Sequence, residues 1–123
     1  MSEDSTRSLP KVAVIQHPPV FLNLEASIEK ACSLIEAAAA GQETHLVVFP
    51  ETWLPGYPVW IDSSPDAALW GHPPTTALYR LLAENSITLP GEHLDRLLEV
   101  AGKAGTYVVM GANERLGGTL YNS

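Results

Sequence analysis

Among the carboxylates of this 123-residue sequence, Glu51 keeps the least ordinary company. It lies within Leu46–Pro58, LVVFPETWLPGYP, behind Leu46, Val47, Val48 and Phe49 and ahead of Trp53, Leu54, Tyr57 and Trp60. A charge in such surroundings is rare unless it is paired or put to use. Walled by Phe49, Trp53 and Tyr57, this carboxyl is expected to feel desolvation that favours its neutral form, which suits a general acid or base working near neutral pH. It could equally cap the Pro55–Pro58 turn or pair with an arginine. Local chemistry alone leaves both readings open.

The other candidates are weaker. Cys32 is the single thiol, and its spacing puts it on an apolar helical stripe with Ile28 and Ile35, where cysteine behaves as a small hydrophobe. No histidine lies near it in sequence to lower its pKa, and the nearest lysine, Lys30, reads as solvated. Lys11 precedes a strand, and Lys30 and Lys103 sit beside acids on helices, so all three read as solvated. His17, His45, His72 and His93 are far apart and, with one cysteine, make no metal motif. Trp53, Trp60, Trp70 and Tyr57 share one segment. Packing is their default role, though aromatic walls also suit a small apolar ligand. Gly117-Gly118 has no phosphate-loop context.

The elements that must position these groups follow from patterning. Lys11–Gln16 (KVAVIQ) predicts a buried strand, ended by His17-Pro18-Pro19. Asn23 is placed to cap a helix. Leu24, Ile28, Ala31, Cys32, Ile35, Ala38 and Ala39 then recur at three- and four-residue steps, with Glu25, Glu29, Lys30 and Glu36 outside and Gly41 at the end. His45–Phe49 predicts a second strand covered on both faces. Glu51 to Pro74 reads as a long apolar loop, and loops of that kind often hold sites. Thr75–Asn85 predicts a short helix. Pro90-Gly91 opens another with Leu94, Leu97, Leu98 and Ala101 on one face and Gly105 as its stop. Tyr107–Asn113 predicts a third strand, and Thr119–Asn122 a fourth, in a hairpin turning at Leu116-Gly117-Gly118. The order β-α-β-loop-α-α-β-β indicates an α/β fold with parallel neighbours. Glu51 then falls just past the carboxyl end of a strand, where ligand clefts of open α/β sheets form.

Composition narrows the classes. The length suits one domain, able to bury roughly two-thirds of its unfolded surface. Fourteen acidic and seven basic residues give a net charge of −7, and the basic ones are scattered. No basic patch exists for nucleic acid or anionic lipid, and no apolar run approaches membrane-spanning length. The polar start MSEDSTRSLP is unlike a signal peptide, and residues 1–10 read as a flexible leader. With a lone cysteine, a reducing cytoplasm fits. The last strand is short, which reads as an interruption of a longer chain. Residue by residue, the sequence offers one acid/base candidate and no nucleophile.

Four segments carry a resemblance. FPETWLPGYPVWID resembles the glutamate motif of the nitrilase (carbon–nitrogen hydrolase) superfamily. KVAVIQHPPV is similar to the family's first strand, DAALWGHPP to a loop of true nitrilases, and GANERLGGTLYNS to its third-strand and hairpin region. One departure is Glu43, where the family usually has glycine. The resemblance implies the N-terminal part of an α-β-β-α sandwich, with residues 1–123 an incomplete domain, and a homodimer or larger homo-oligomer when complete. It implies a Glu–Lys–Cys triad, often aided by a second glutamate, and neither metal nor cofactor. Glu51 matches the general base, Tyr57 an aromatic near the substrate pocket, and Trp60 extends that aromatic segment as a substrate-binding candidate. The family's lysine, second glutamate and nucleophilic cysteine lie beyond the hairpin, and Cys32 does not correspond to the nucleophile.

The implied reaction is hydrolysis of a small-molecule nitrile to carboxylic acid and ammonia. An amidase, carbamoylase or cyanide-degrading relative is the alternative, disfavoured by the aromatic GYPVWID and DAALWGH segments. A non-catalytic assembly module is the alternative of another class. The 123 residues alone are expected to be inactive and, with a cut sheet edge and bare apolar faces, poorly soluble.

Overall fold

The structure is a computed structural model describing residues 8–123. The proposed leader therefore falls largely outside the described residues, and Ser8–Pro10 is exposed and irregular. Three short strands, β1 (Val12–Val14), β2 (Leu46–Val48) and β3 (Tyr107–Val109), form a parallel sheet in the order β1-β2-β3. The register aligns Val12, Leu46 and Tyr107, then Ala13, Val47 and Val108, then Val14, Val48 and Val109. A separate antiparallel hairpin joins β4 (Asn113–Leu116) to β5 (Thr119–Asn122). The expected mixed α/β architecture is thus present.

Helix α1 (Leu24–Ala39) begins as its sequence requires, with the Asn23 side chain accepting from the Ala26 amide at 3.0 Å. It buries Leu24, Ile28, Ala31 and Ile35. Cys32 is half-buried and packs against this core, and burial pushes its thiol pKa up. Helix α2 (Trp60–Ser63) is a single turn, and α3 (Pro73–Glu84) is longer. Helix α4 (Glu92–Ala104) follows Gly91 and ends at Gly105 in the left-handed conformation. Helices α1 and α4 pack on each other and, through Ile28, Ile35, Leu97 and Val100, share one core with Ala13, Val47 and Val108 of the sheet. Arg96 of α4 and His93 both reach Glu25 of α1, with His93 Nε2 at 3.2 Å. The arginine hydrogen bond holds the Glu25 carboxyl below its usual range.

Four expectations need correction. The long segment after Glu51 is not wholly irregular: it holds α2, and α3 starts at Pro73, because proline is well tolerated in a helix's first turn. Tyr107–Asn113 is two strands, not one. Pairing with β2 stops at Val109, and the chain steps across Met110–Ala112 to open the hairpin. Leu98, read as core, is exposed. The strands are also not covered on both faces. Helices shield the Ala13–Val47–Val108 row, while on the other face Leu46 and Val48 of β2 are only half-buried and the edge-strand residues Val14 and Tyr107 are 67% and 81% exposed.

Candidate active site

Glu51 sits two residues past Phe49, whose amide still bonds the Val109 carbonyl at 2.9 Å, and so just beyond the carboxyl end of the middle strand. The chain then turns tightly. Thr52 takes a positive φ of 50°, an unusual conformation for a β-branched residue, and its carbonyl accepts from the Gly56 amide at 3.0 Å. Backbone held this way is stored strain, of order 1–3 kcal/mol, and persists only where neighbours enforce it.

The neighbours are identifiable. The Leu54 amide donates to the Gly111 carbonyl at 3.1 Å and the Leu54 carbonyl accepts from the Asn113 amide at 2.7 Å. The buried Asn113 side chain donates to the Gly56 carbonyl at 3.1 Å. Trp53 is buried, edge-on to Phe49 with ring centroids 4.8 Å apart, and its indole N–H reaches the His17 carbonyl at 2.7 Å. Gly111 lies directly against the turn: a Cβ there would stand 2.2 Å from the Pro50 carbonyl oxygen and 2.7 Å from Glu51 Cα. The missing side chain is what lets the β3–β4 step approach the base of the Glu51 turn.

The turn carries the Glu51 side chain outward. It is exposed, not desolvated by Phe49 and Trp53 as the sequence suggested, because both rings turn into the core. Its carboxylate has a partner from the hairpin, since the Asn122 Nδ2 donates to Glu51 Oε1 at 2.5 Å. Tyr57 stands 49% exposed on the same loop. The Asp62 carboxylate raises its phenol pKa, helped by partial burial and, to a lesser extent, by Glu51. Trp60 is placed otherwise. It is only 5% exposed, packed edge-on between Phe21 and Tyr79 at 6.4 and 5.3 Å, with its indole nitrogen unpartnered. Tyr79 in turn lines an open hollow of about 460 Å³ with Leu69, Trp70, Thr75 and Thr76.

The structure therefore brings Glu51 and Tyr57 to one exposed rim and puts Trp60 behind it. It adds Asn122, Gly111 and Asp62, which residue-level reading passed over. Nothing local in TLYN or MGAN marks Asn122 or Gly111, because their partners are remote in sequence, whereas Asp62 acts on Tyr57 from five residues away. Among the described residues no group of three or more histidine, cysteine or acidic side chains is arranged to hold a metal ion. No helix there is long and apolar enough to cross a membrane.

Comparison with known proteins gives these features a setting. The family model described as carbon-nitrogen hydrolase matches residues 11–123. An arylacetonitrilase of Aspergillus niger is 42% identical over 111 residues, covering 90% of this chain and 30% of its own length. A nitrilase of Pseudomonas syringae pv. syringae is 40% identical over 113 residues, covering 90% of this chain and 31% of its own. An aliphatic nitrilase of Rhodococcus rhodochrous shows 40% identity over 113 residues, covering 90% and 29%. The chain thus spans about 30% of the length of the curated relatives it matches.

Proposed function

The chain belongs to the carbon–nitrogen hydrolase family, and from that membership we propose that it is the N-terminal portion of a nitrile-hydrolysing enzyme in which Glu51 is the general base. The observation that carries this reading is the pairing of the glutamate motif with its placement. Glu51 projects from a strained turn past the carboxyl end of the central strand, held by the remote Gly111–Asn113 segment and by the His17 carbonyl. Similarity to nitrilases, including arylacetonitrilases and an aliphatic nitrilase, supports a nitrile as the bond attacked.

In the complete protein, Glu51 takes the proton of a cysteine thiol supplied from beyond these 123 residues. The thiolate adds to the nitrile carbon, and the nitrogen gains a proton to give a thioimidate. Water adds to that carbon, ammonia leaves, and a thioester remains. A second water, deprotonated by Glu51, releases the carboxylic acid and restores the thiol. A lysine would stabilise the negative charge that develops on nitrogen and oxygen. Tyr57 borders the substrate on the exposed rim. Trp60, buried behind it, supports the aromatic wall and is the less direct of the two substrate-binding candidates. The 123 residues alone supply one member of the triad and are expected to give no turnover. Dimeric or larger assembly and a cytoplasmic setting belong to the same proposal.

The test is ammonia release by the complete protein from matched panels of nitriles and amides, for the parent and for Glu51→Gln. The reading expects nitrile turnover that Glu51→Gln abolishes without a change in unfolding temperature, since the exposed side chain keeps its shape. Turnover of amides only would move the protein to another branch of the family. Full activity in Glu51→Gln would remove Glu51 from the chemistry.

A further inference from the structure

We infer that Asn122 is a positioning residue for Glu51, fixing the direction of its carboxylate and marking which oxygen remains free to accept a proton. This rests on Glu51 being the base, and it starts from the geometry of one amide. Asn122 Nδ2 donates to Oε1 of Glu51 across 71 residues of sequence. The contact occupies Oε1 and leaves Oε2 to accept a proton.

The amide is held from its own backbone. Asn122 pairs with Asn113 in the hairpin ladder. Beside that pair, Ala112 and Ser123 exchange two backbone hydrogen bonds at 2.8 and 2.9 Å. Asn113 is itself tied to Leu54 and Gly56 of the Glu51 turn at 2.7 and 3.1 Å. Donor and acceptor are thus mounted on one frame, with the hairpin and the turn stitched together by the two Asn113 hydrogen bonds. A glutamate has three side-chain torsions, and an exposed one sweeps widely unless something stops it. The Asn122 amide is the stop. Its own side chain contributes little to the fold, because the strand pairing is carried by backbone groups and the residue is exposed.

A neutral donor suits this task. An arginine or lysine in its place would hold the carboxylate too, but would also stabilise its charge and weaken it as a base. An amide directs with less of that effect.

The experiment compares Asn122→Ala, Asn122→Asp and Glu51→Gln in the complete protein, reading kcat, KM, the pH profile of kcat/KM and the unfolding temperature. Asn122→Ala is expected to lower kcat by roughly 10- to 100-fold, in line with the cost of a misdirected catalytic group, with KM within about twofold and unfolding unchanged. Asn122→Asp keeps the shape but sets a second carboxyl against Glu51. Two such groups share one proton at close range, so the acid limb of the pH profile should move up by about a unit or more. Asn122→Ala with kcat within about twofold of the parent, beside an inactive Glu51→Gln, overturns this inference alone. So does a loss of activity that merely tracks a loss of thermal stability, with the acid limb unmoved in Asn122→Asp. Turnover by Glu51→Gln overturns the base reading, and this inference with it.

Discussion

Adding one methyl group at Gly111 drives it into the backbone that carries Glu51. The new Cβ would lie 2.2 Å from the Pro50 carbonyl oxygen, short of the 3.4 Å at which ordinary contact begins by about 1.2 Å. Glu51 Cα at 2.7 Å and the Thr52 amide nitrogen at 2.8 Å close the other escape routes. All three obstacles are main chain, so no rotamer change relieves them. Overpacking of this kind costs about 1–3 kcal/mol, and a rigid backbone partner puts Gly111→Ala at the upper end. The urea m-value is about 1–3 kcal/mol/M for small proteins and rises with chain length, so in the longer complete protein a loss of roughly 3 kcal/mol lowers the unfolding midpoint by on the order of 1 M or less. The alternative to unfolding is displacement. The turn moves by about 1 Å, and a catalytic group shifted that far loses on the order of 10²-fold in rate. Urea titration and nitrile kinetics on the complete protein read both routes. A Gly111→Ala protein with its parent's midpoint and its parent's kcat would refute the reasoning, for then neither the turn nor the step across it is as confined as described.

Two further outcomes follow from electrostatics. Cys32 should react with a disulfide reagent at mildly alkaline pH more slowly in the folded protein than in urea, since burial holds its thiol above the usual 9.0 and the thiolate is the reactive form; equal rates would show that the α1 stripe does not enclose it. Glu25, held below its usual 4.5 chiefly by the Arg96 hydrogen bond, contributes stability that is present above its unfolded pKa and lost as pH falls through the lower folded value. Glu25→Gln should therefore unfold at slightly lower temperature than the parent at pH 7, with the gap closing under acid. A gap independent of pH would point to lost packing between α1 and α4 instead.

Much of the fold was legible because its signals are local. The Leu24–Ala39 stripe, the Asn23 cap and the Gly105 stop each state in a few residues what the backbone does there. Glu51 was legible in the same way, as a charge where apolar patterning breaks into a turn. The misreadings share a cause. Tyr107–Asn113 is apolar and β-branched enough to be one strand, but Gly111 breaks it by meeting Pro50 and Glu51 from a distant part of the chain. The sequence neighbours of Glu51 suggest burial, yet Phe49 and Trp53 turn inward and leave the carboxylate out. Trp60 carried the same aromatic signal as Tyr57, and only the packing of Phe21 and Tyr79 separates a buried ring from a half-exposed one. Asn122 had no signal of its own, being one polar residue in a hairpin strand.

The 71-residue separation of Glu51 and Asn122 also sets a timetable. During synthesis at about 5–20 residues per second, Glu51 is added to the chain roughly 4–14 s before its amide partner. Over that interval α1 and the β1–β2 pair can form, but β3, the Gly111 step and the hairpin cannot yet brace the Thr52 turn. Long-range parallel pairing is slow even when every residue is present. The strained turn is thus among the last parts of this chain to become stable, and an early, undirected carboxylate is converted into an aimed one only when the hairpin docks.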